Sequence, residues 1–300
     1  MKIRLAFGLS VALLLLFAGA AHAQQMGQDE PSGDLVPPTS ASDFTAGQLD
    51  AVLAGSWRSA TNKARDAYRH PKGTLQFFGL QPDQTVIEIT PGSGWYSEIL
   101  APLLRDNGHY IAAVPGGNGS EDKQAAAALH AKFAADPTEY GKASIVTFNP
   151  KTPVFGAPGS ADMVLTFRNV HNWAEAGNAP TMFKAFYAVL RNGGTLGVVD
   201  HRAAAGASFD SVKESGYLPT EYVIKLATDA GFKLDGQSEV NANPKDTKDY
   251  PKGVWTLPPT LTLGDQDRAK YQAIGESDRM TLRFVKEAKA PASPSSTTPH

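Results

Sequence analysis

Residues 85–96, which read TVIEITPGSGWY, combine a short β-branched run with a glycine-rich turn. The β-branched run predicts a strand over 85–89, and the Pro-Gly-Ser-Gly segment at 91–94 predicts a tight turn. Apolar residues over 95–103 then repeat at helical spacing, which predicts a helix directly after the turn. Strand, turn and helix in this order are typical of a parallel sheet covered by helices.

The same alternation continues along the chain in both directions. Further strands are predicted over 109–114, 143–148, 162–167, 195–199, 232–240 and 279–285, and helices over 49–70, 122–135, 182–190 and 222–230. The central strands are short and apolar, as strands buried on both faces should be. The pattern predicts an α/β fold with a doubly wound, mostly parallel sheet. The helix over 49–70 carries a basic face, which either is solvated or covers a cleft.

Composition narrows the class of protein. The 300 residues are 42% hydrophobic and 19% charged, which excludes a wholly disordered or fibrous chain. The formal net charge of −2 offers no basic excess for nucleic acid as the main partner. Cysteine is absent, so disulfides, thiolate metal sites and a cysteine nucleophile are excluded.

The ends of the chain do not read as folded structure. Residues 1–23 match a signal peptide, since Lys2 and Arg4 precede an apolar run that ends in Ala-His-Ala. We therefore expect an exported protein, most simply periplasmic, with no stable membrane anchor after cleavage. The predicted organisation is a flexible leader over 24–41, one domain over 42–286 and a disordered tail over 287–300. The sequence does not indicate an oligomeric state.

Open parallel sheets bind ligands beyond the carboxyl ends of their strands. The turn with Gly92 and Gly94 follows the first strand, and these glycines would let backbone approach a ligand closely. A dinucleotide site would need a third glycine where Ser97 stands. It would also need an acid at the end of the second strand, where residues 113–117 contain none. A nicotinamide site is therefore disfavoured.

Three segments carry a family resemblance. Residues 86–96 (VIEITPGSGWY) resemble the first motif of class I S-adenosylmethionine (SAM)-dependent methyltransferases, and residues 162–173 (DMVLTFRNVHNW) resemble their fourth motif. Residues 190–200 (LRNGGTLGVVD) are similar to the family's strand-five signature. The resemblance covers about 70–210, and the late strands extend it to 285. It implies a seven-stranded Rossmann-like methyltransferase sheet whose last strand is antiparallel. Residues 92–96, 168–173 and 275–286 together resemble a subgroup of exported, predicted methyltransferases.

The resemblance also implies a cofactor site. The residues expected to contact SAM are Glu88, Pro91, Gly92, Ser93, Gly94, Trp95, Tyr96, Phe148, Phe167, Arg168 and Asn169. Glu88 and the loop over 92–94 would line its methionine end, Phe148 would lie near the adenine, and Phe167, Arg168 and Asn169 would flank the sulfonium, while Trp95 and Tyr96 could stack on an aromatic ligand. Glu88 could instead be a structural carboxylate, and the aromatic residues could belong to the core. The family's acid after strand two, which holds the ribose, is missing, and Pro115 stands near that point.

Histidines supply a candidate base. His171 follows strand four and could deprotonate a hydroxyl acceptor, because imidazole titrates near neutrality. It could equally be a loop histidine that bonds to backbone. Asp200 and His201 are adjacent, which suggests either a catalytic acid–histidine dyad or a metal site. Adjacent side chains on an extended chain point in opposite directions, however, which disfavours both. No His-x-x-x-His spacing occurs, so no metal site is predicted.

The leading functional hypothesis is methyl transfer from SAM to a small-molecule acceptor. The alternative is an inactive exported ligand-binding protein on a methyltransferase scaffold, because SAM is a cytoplasmic metabolite. The long segment over 241–278 includes YPKGVW at 250–255, which is either a substrate lid or surface packing.

Overall fold

Seven strands form one mixed sheet in the computed structural model, which describes residues 41–117 and 119–288. The strands are β1 (Thr85–Ile89), β2 (His109–Pro115), β3 (Ser144–Phe148), β4 (Ala161–Phe167), β5 (Leu190–His201), β6 (Lys233–Ser238) and β7 (Arg279–Val285). Their order across the sheet is β3-β2-β1-β4-β5-β7-β6. β7 pairs antiparallel with β5 and with β6, whereas the pairings among β1 to β5 are parallel. The predicted sheet is confirmed, including its antiparallel last strand.

Helices cover both faces of this sheet. They are α1 (Ala41–Ala54), α2 (Ala60–Lys63), α3 (Asp66–Arg69), α4 (Pro71–Phe78), α5 (Ser97–Leu104), α6 (Ser120–Ala135), α7 (Pro137–Tyr140), α8 (Val170–Glu175), α9 (Ala179–Val189), α10 (Phe209–Val212), α11 (Thr220–Asp229) and α12 (Arg268–Ile274). Val86 of β1 packs in the cluster that holds α1, α4 and α5, and its neighbour Ile87 packs in the cluster of α9 and α11. Successive strand residues thus face opposite layers, as the pleat requires.

The predicted single helix over 49–70 is wrong. The chain breaks into α1, α2 and α3, and Pro71 begins α4 rather than ending a helix. Ser59 caps α2 by accepting from the backbone N–H of Asn62, and His70 adopts a left-handed φ of 41° before α4. Proline suits the first turn of a helix because its missing N–H needs no partner there. Because of these breaks, Arg58 and Arg69 are buried. The prediction of a solvated basic face is therefore wrong as well.

Several expectations concern the chain ends. The predicted signal peptide (1–23) and residues 24–40 of the predicted leader lie outside the described residues, as do residues 289–300 of the predicted tail. Residue 41 of the leader belongs to α1. Among the helices of the described part, none is long and apolar enough to cross a membrane.

Candidate functional site: a cavity at the carboxyl ends of β1 and β4

A cavity of about 190 Å³ lies where β1 and β4 end. Its lining consists of Arg65, Arg69, Glu88, Thr90, Pro91, Gly92, Ser93, Trp95, Tyr96, Phe167, Arg168 and Asn169. Nine of the eleven residues expected to contact the cofactor are in this lining, and Gly94 and Phe148 are not. The strand order reverses between β1 and β4, so the cavity occupies the switch point where open α/β sheets bind ligands.

The backbone is strained where the two strands end. Thr90 follows β1 with φ of 53°, and Arg168 follows β4 with φ of 62°. A β-branched residue at positive φ is an outlier, and such conformations cost about 1–3 kcal/mol each. Asn169 ties the two loops together, because its side-chain amide donates to the Ile89 carbonyl at 3.0 Å. Strain of this kind clusters at functional sites.

The two glycines of the turn have different roles. A Cβ at Gly92 would meet nothing within 4 Å, so Gly92 leaves open space. A Cβ at Gly94 would lie 2.8 Å from Leu129 of α6 and 3.1 Å from the Ser97 hydroxyl. Gly94 is therefore needed for close packing of the turn against α6, and only Gly92 lines the cavity.

Phe148 lies elsewhere in the molecule. It ends β3 as a buried residue, and its ring packs edge-on against Phe155 with centroids 4.9 Å apart. The structure therefore places Phe148 in the hydrophobic core.

Glu88 lines the cavity with a carboxyl group that is only 3% exposed. Its Oε2 accepts a 2.6 Å hydrogen bond from the Tyr110 hydroxyl, and that hydroxyl shares a 2.7 Å bond with Ser97. Burial raises the pKa of Glu88 to about 7, although the hydroxyls of Tyr110 and Ser97 act to lower it. Glu88 is therefore held in place by hydroxyl groups of the core and also lines the cavity.

Aromatic side chains form one wall. Tyr96 stacks on Phe167 with centroids 3.6 Å apart, and Trp95 meets Tyr96 edge-on at 4.7 Å. The Trp95 indole N–H donates to the Asn62 carbonyl at 3.0 Å. The Arg69 guanidinium lies 4.6 Å from the centre of the Trp95 ring. These rings are fixed by one another, so the wall is formed before any ligand arrives.

Arg65 and Arg69, together with Thr90, are the residues of the lining that the sequence analysis did not name, whereas Arg168 was among the expected contacts. Arg65 and Arg69 each bring Nε to Glu276, at 2.7 and 3.2 Å, and Arg279 approaches the same carboxylate at 3.2 Å. Burial acts to raise the pKa of Glu276, but the arginines outweigh it and lower that pKa to about 2. Glu276 is therefore ionised at neutral pH. The basic stretch of 49–70 was the available signal, yet its partner lies more than 200 residues away.

His171 does not line the cavity. Its Nδ1 lies 2.9 Å from Asp200 Oδ1, and Asp200 is fully buried. The other Asp200 oxygen accepts from the backbone N–H of Val170 at 2.7 Å and of His171 at 3.3 Å. The ring of His201 turns instead to the Ser277 hydroxyl at 2.5 Å. Asp200 therefore pairs with His171 across neighbouring strands, and not with the ring of its sequence neighbour.

Together these three residues could hold a metal ion. The ligand atoms of His171, Asp200 and His201 all lie within 4.8 Å of one another. Sequence spacing did not reveal this group because it joins the ends of β4 and β5. Burial lowers the pKa of His201 well below its ordinary value, and Arg168 acts in the same direction. The positive charge of Arg168 also acts against the binding of a metal cation here.

Part of the long segment over 241–278 packs against the pair formed by His171 and Asp200, which we call the dyad. The Trp255 ring packs edge-on against His171 with centroids 6.1 Å apart. A Cβ at Gly253 would lie 2.0 Å from the Ser215 carbonyl oxygen, so the backbones touch closely there. An open cavity of about 670 Å³ lies between residues 210–215 and 250–255. Close packing accounts for this segment in the structure, and movement as a lid stays a prediction.

Solved structures share this fold. A SAM-dependent methyltransferase from Aquifex aeolicus is 13% identical over 80% of this chain and 98% of its own, with a TM-score of 0.50. A protein from Galdieria sulphuraria, provisionally named a sarcosine dimethylglycine methyltransferase, is 10% identical over 82% and 99%, with a TM-score of 0.51. The [4+2]-cyclase SpnF is 14% identical over 83% and 95%, also with a TM-score of 0.51.

The sequence comparisons add no family. No protein-family model and no curated protein matches this sequence. The structural likeness is too distant in sequence to carry an activity, and one of the three neighbours is named for a cyclisation. The resemblance to an exported subgroup stays a prediction. The chain has the fold of class I SAM-dependent methyltransferases.

Proposed function

We propose that this protein transfers a methyl group from SAM to a small-molecule acceptor. One observation carries the proposal: nine of the eleven residues named from the methyltransferase motifs line a single cavity. That cavity lies at the switch point of the sheet, between β1 and β4. The methyltransferases among the structural neighbours support the same activity at the level of the fold.

The lining fits the amino-acid end of this cofactor. Gly92 leaves open space, and Thr90 has a buried hydroxyl with no hydrogen-bond partner in the described ranges. Residues 91–93 would hold the cofactor through backbone groups, and Tyr96 and Phe167 would flank it. When bound, SAM supplies an electrophilic methyl group on its sulfonium. The protein contributes position, which is worth up to about 7–11 kcal/mol in favourable cases.

His171 is our candidate for the base if the acceptor is a hydroxyl. Its Nδ1 is bonded to Asp200, which leaves Nε2 to take the acceptor's proton. Asp200 would then stabilise the charged imidazolium. Since His171 is outside the cavity lining, the acceptor must extend from the cavity toward α8.

Calorimetric titration of the full chain with SAM, and separately with S-adenosylhomocysteine (SAH), tests the cofactor. We expect micromolar binding, about −8 kcal/mol. Gly92→Asn should abolish it, because asparagine tolerates the left-handed backbone but fills the open space. Gly79→Asn is the matched control, since Gly79 also has positive φ and open space but caps α4 away from the cavity. Folded wild-type protein that gives no heat with either ligand would refute the proposal.

Catalysis needs its own test. With isotope-labelled SAM and a pool of small acceptors, we expect SAH to form and label to enter one acceptor. Asp200→Asn, which keeps the side-chain shape, should lower kcat and leave SAH affinity unchanged. Equal loss of kcat and SAH affinity would indicate a structural role for the dyad.

A second candidate function is ligand binding without catalysis. Pro115 favours it, because this residue ends β2 where the family has an acid for the ribose, and proline has no polar side-chain group. A small molecule that co-purifies with the protein and is never methylated would support this candidate.

We also propose that the mature protein acts outside the cytoplasm, from the signal-peptide pattern at 1–23. N-terminal sequencing of protein recovered from the periplasmic fraction should begin at Gln24. Intact Met1 in the cytoplasmic fraction would overturn this placement.

A further inference from the structure

The rim of the cavity carries more positive charge than the protein balances. We call Arg65, Arg69, Arg168 and Arg279, grouped around Glu276, the arginine cluster. Three of these guanidiniums pair with Glu276, and the charge of the fourth, Arg168, is opposed by Glu276 and Asp200, so four positive charges face two carboxylates and positive charge is left in surplus. Buried charges in proteins are normally paired.

The arginines of the cavity still have donors to offer. The Nη2 atoms of Arg65 and Arg69 are buried and have no hydrogen-bond partner in the described part of the chain. Both arginines use Nε on Glu276, so Nη2 is the free arm of each fork. The Arg69 side chain is 3% exposed, so water cannot easily satisfy this donor.

Arg168 and Arg279 differ in this respect. Arg279 is fully engaged, since it donates to the carbonyls of Ser277 and Tyr68 and to Glu276. The Arg168 guanidinium has no hydrogen bond and no ion pair within residues 41–117 and 119–288, yet it lines the cavity. Burial lowers the pKa of Arg168 to about 10, a sign that its charge is poorly compensated. The donors available to a ligand are therefore those of Arg65, Arg69 and Arg168.

The cofactor alone does not balance this surplus. SAM carries one carboxylate against an ammonium and a sulfonium, so it adds positive charge to the site. Guanidiniums bind carboxylate and phosphate groups through paired hydrogen bonds, which suits a planar or tetrahedral oxyanion. We propose that Arg65, Arg69 and Arg168 bind a separate oxyanion, the carboxylate or phosphate group of the methyl acceptor. That this oxyanion belongs to a methyl acceptor rests on the proposed function, whereas the oxyanion site itself does not.

Inorganic phosphate is the probe. Titrated into the full chain at low ionic strength, where screening is weak, it should give saturable heat and raise the melting temperature. Arg168→Gln should weaken phosphate binding about tenfold or more, since a charged hydrogen bond is worth about 1.5–3 kcal/mol. Arg168 has no partner to lose, so this variant should fold. Arg65→Gln, measured in the same way, should show a similar loss of phosphate affinity. This second variant ensures that the conclusion does not depend on Arg168 alone.

Arg191→Gln is the matched control. Arg191 is an exposed arginine at the start of β5, where it pairs with Asp162. The cavity lies at the opposite edge of the sheet, where the parallel strands end. This control should leave phosphate affinity within about twofold, because exposed pairs contribute little. Equal phosphate binding by the Arg168 and Arg191 variants, or no saturable heat in the wild type, would overturn the proposal.

The same titration at saturating SAH separates the two sources of an oxyanion. We expect phosphate affinity to be unchanged or higher, because the two ligands occupy different parts of the site. A loss of about tenfold would mean that the cofactor's own carboxylate occupies the arginine cluster, and would overturn the proposal. If phosphate binds through Arg168 while neither SAM nor SAH binds, the oxyanion site stands and the proposed methyl transfer fails.

Discussion

Glu88 and Glu276 are two buried carboxyl groups beside the same cavity, and they behave in opposite ways. Glu88 is 3% exposed and Glu276 is 4% exposed, so burial does not distinguish them. Glu88 has hydroxyl partners, and burial raises its pKa to about 7. Glu276 has three arginines within 3.2 Å, and they lower its pKa to about 2.

The difference shows what the cavity is built to bind. The motif glutamate on β1 is only partly ionised at neutral pH, because its pKa is raised to about 7, so it supplies less than a full negative charge. Three arginines of the cluster come from segments outside the three methyltransferase motifs, namely α3, its preceding residue Arg65 and the start of β7, whereas Arg168 belongs to the fourth motif. A ligand in the cavity therefore meets the partly ionised carboxyl group of Glu88 and the positively charged arginines of the lining.

The largest effect should come from removing the carboxylate of the arginine cluster. Glu276→Gln leaves buried guanidiniums without a counterion, and we expect a loss of about 3–5 kcal/mol in the free energy of unfolding by urea. Glu239→Gln is the control, because Glu239 forms an exposed pair with Arg202. It should cost at most about 1 kcal/mol. Equal losses in the two variants would remove the special role of Glu276.

Acid should separate the same two carboxyl groups. The pKa of Glu276 is depressed, so its contribution to stability is present above its unfolded pKa of 4.5 and is lost as the pH falls toward 2. This loss is on the order of 3 kcal/mol at most. Melting temperatures over this range should fall more steeply for the wild type than for Glu276→Gln. Parallel curves would contradict the assignment.

Glu88→Gln should act in the opposite direction. A raised carboxyl pKa means that stability is highest below pH 4.5 and falls as the pH rises to about 7. The variant should therefore be more stable than the wild type at pH 8, by about 1–3 kcal/mol, and should lose this advantage at pH 4. Urea unfolding at both pH values measures it, and a less stable variant at pH 8 would contradict the account.

The smallest effect should come from Tyr110→Phe. This change removes the hydroxyl that donates to Glu88, and we expect a loss of about 0.5–1.5 kcal/mol at neutral pH. It should also raise the pKa of Glu88 further, because that hydrogen bond lowers it. Carboxyl NMR of the wild type and the variant gives the two titration curves, which should not coincide.

Local pattern predicts the sheet well. β1, β2, β4 and β7 lie within one or two residues of their predicted ranges, because β-branched and apolar runs bounded by turns carry their own signal. The prediction of one helix over 49–70 is wrong because it too depends on local pattern alone. The apolar spacing in this range continues across breaks that Ser59 capping and the left-handed His70 impose.

The site is less local, and the sequence alone predicts it in part. The cavity lining follows from the motifs, because motif residues sit at strand ends. Of the arginine cluster only Arg168 follows from the motifs, since Arg65 and Glu276 meet only through the tertiary fold. Gly94 belongs to the first motif and Phe148 ends the third strand, but packing against Leu129 and Phe155 places them off the lining.

A crystal structure of the full chain with SAH and phosphate would show both proposed ligands in one experiment. We expect SAH along residues 91–93, beside Tyr96 and Phe167. We also expect phosphate within hydrogen-bond distance of Arg65, Arg69 and Arg168. An empty cavity under saturating ligand, or SAH with its own carboxylate on all three arginines, would contradict these expectations.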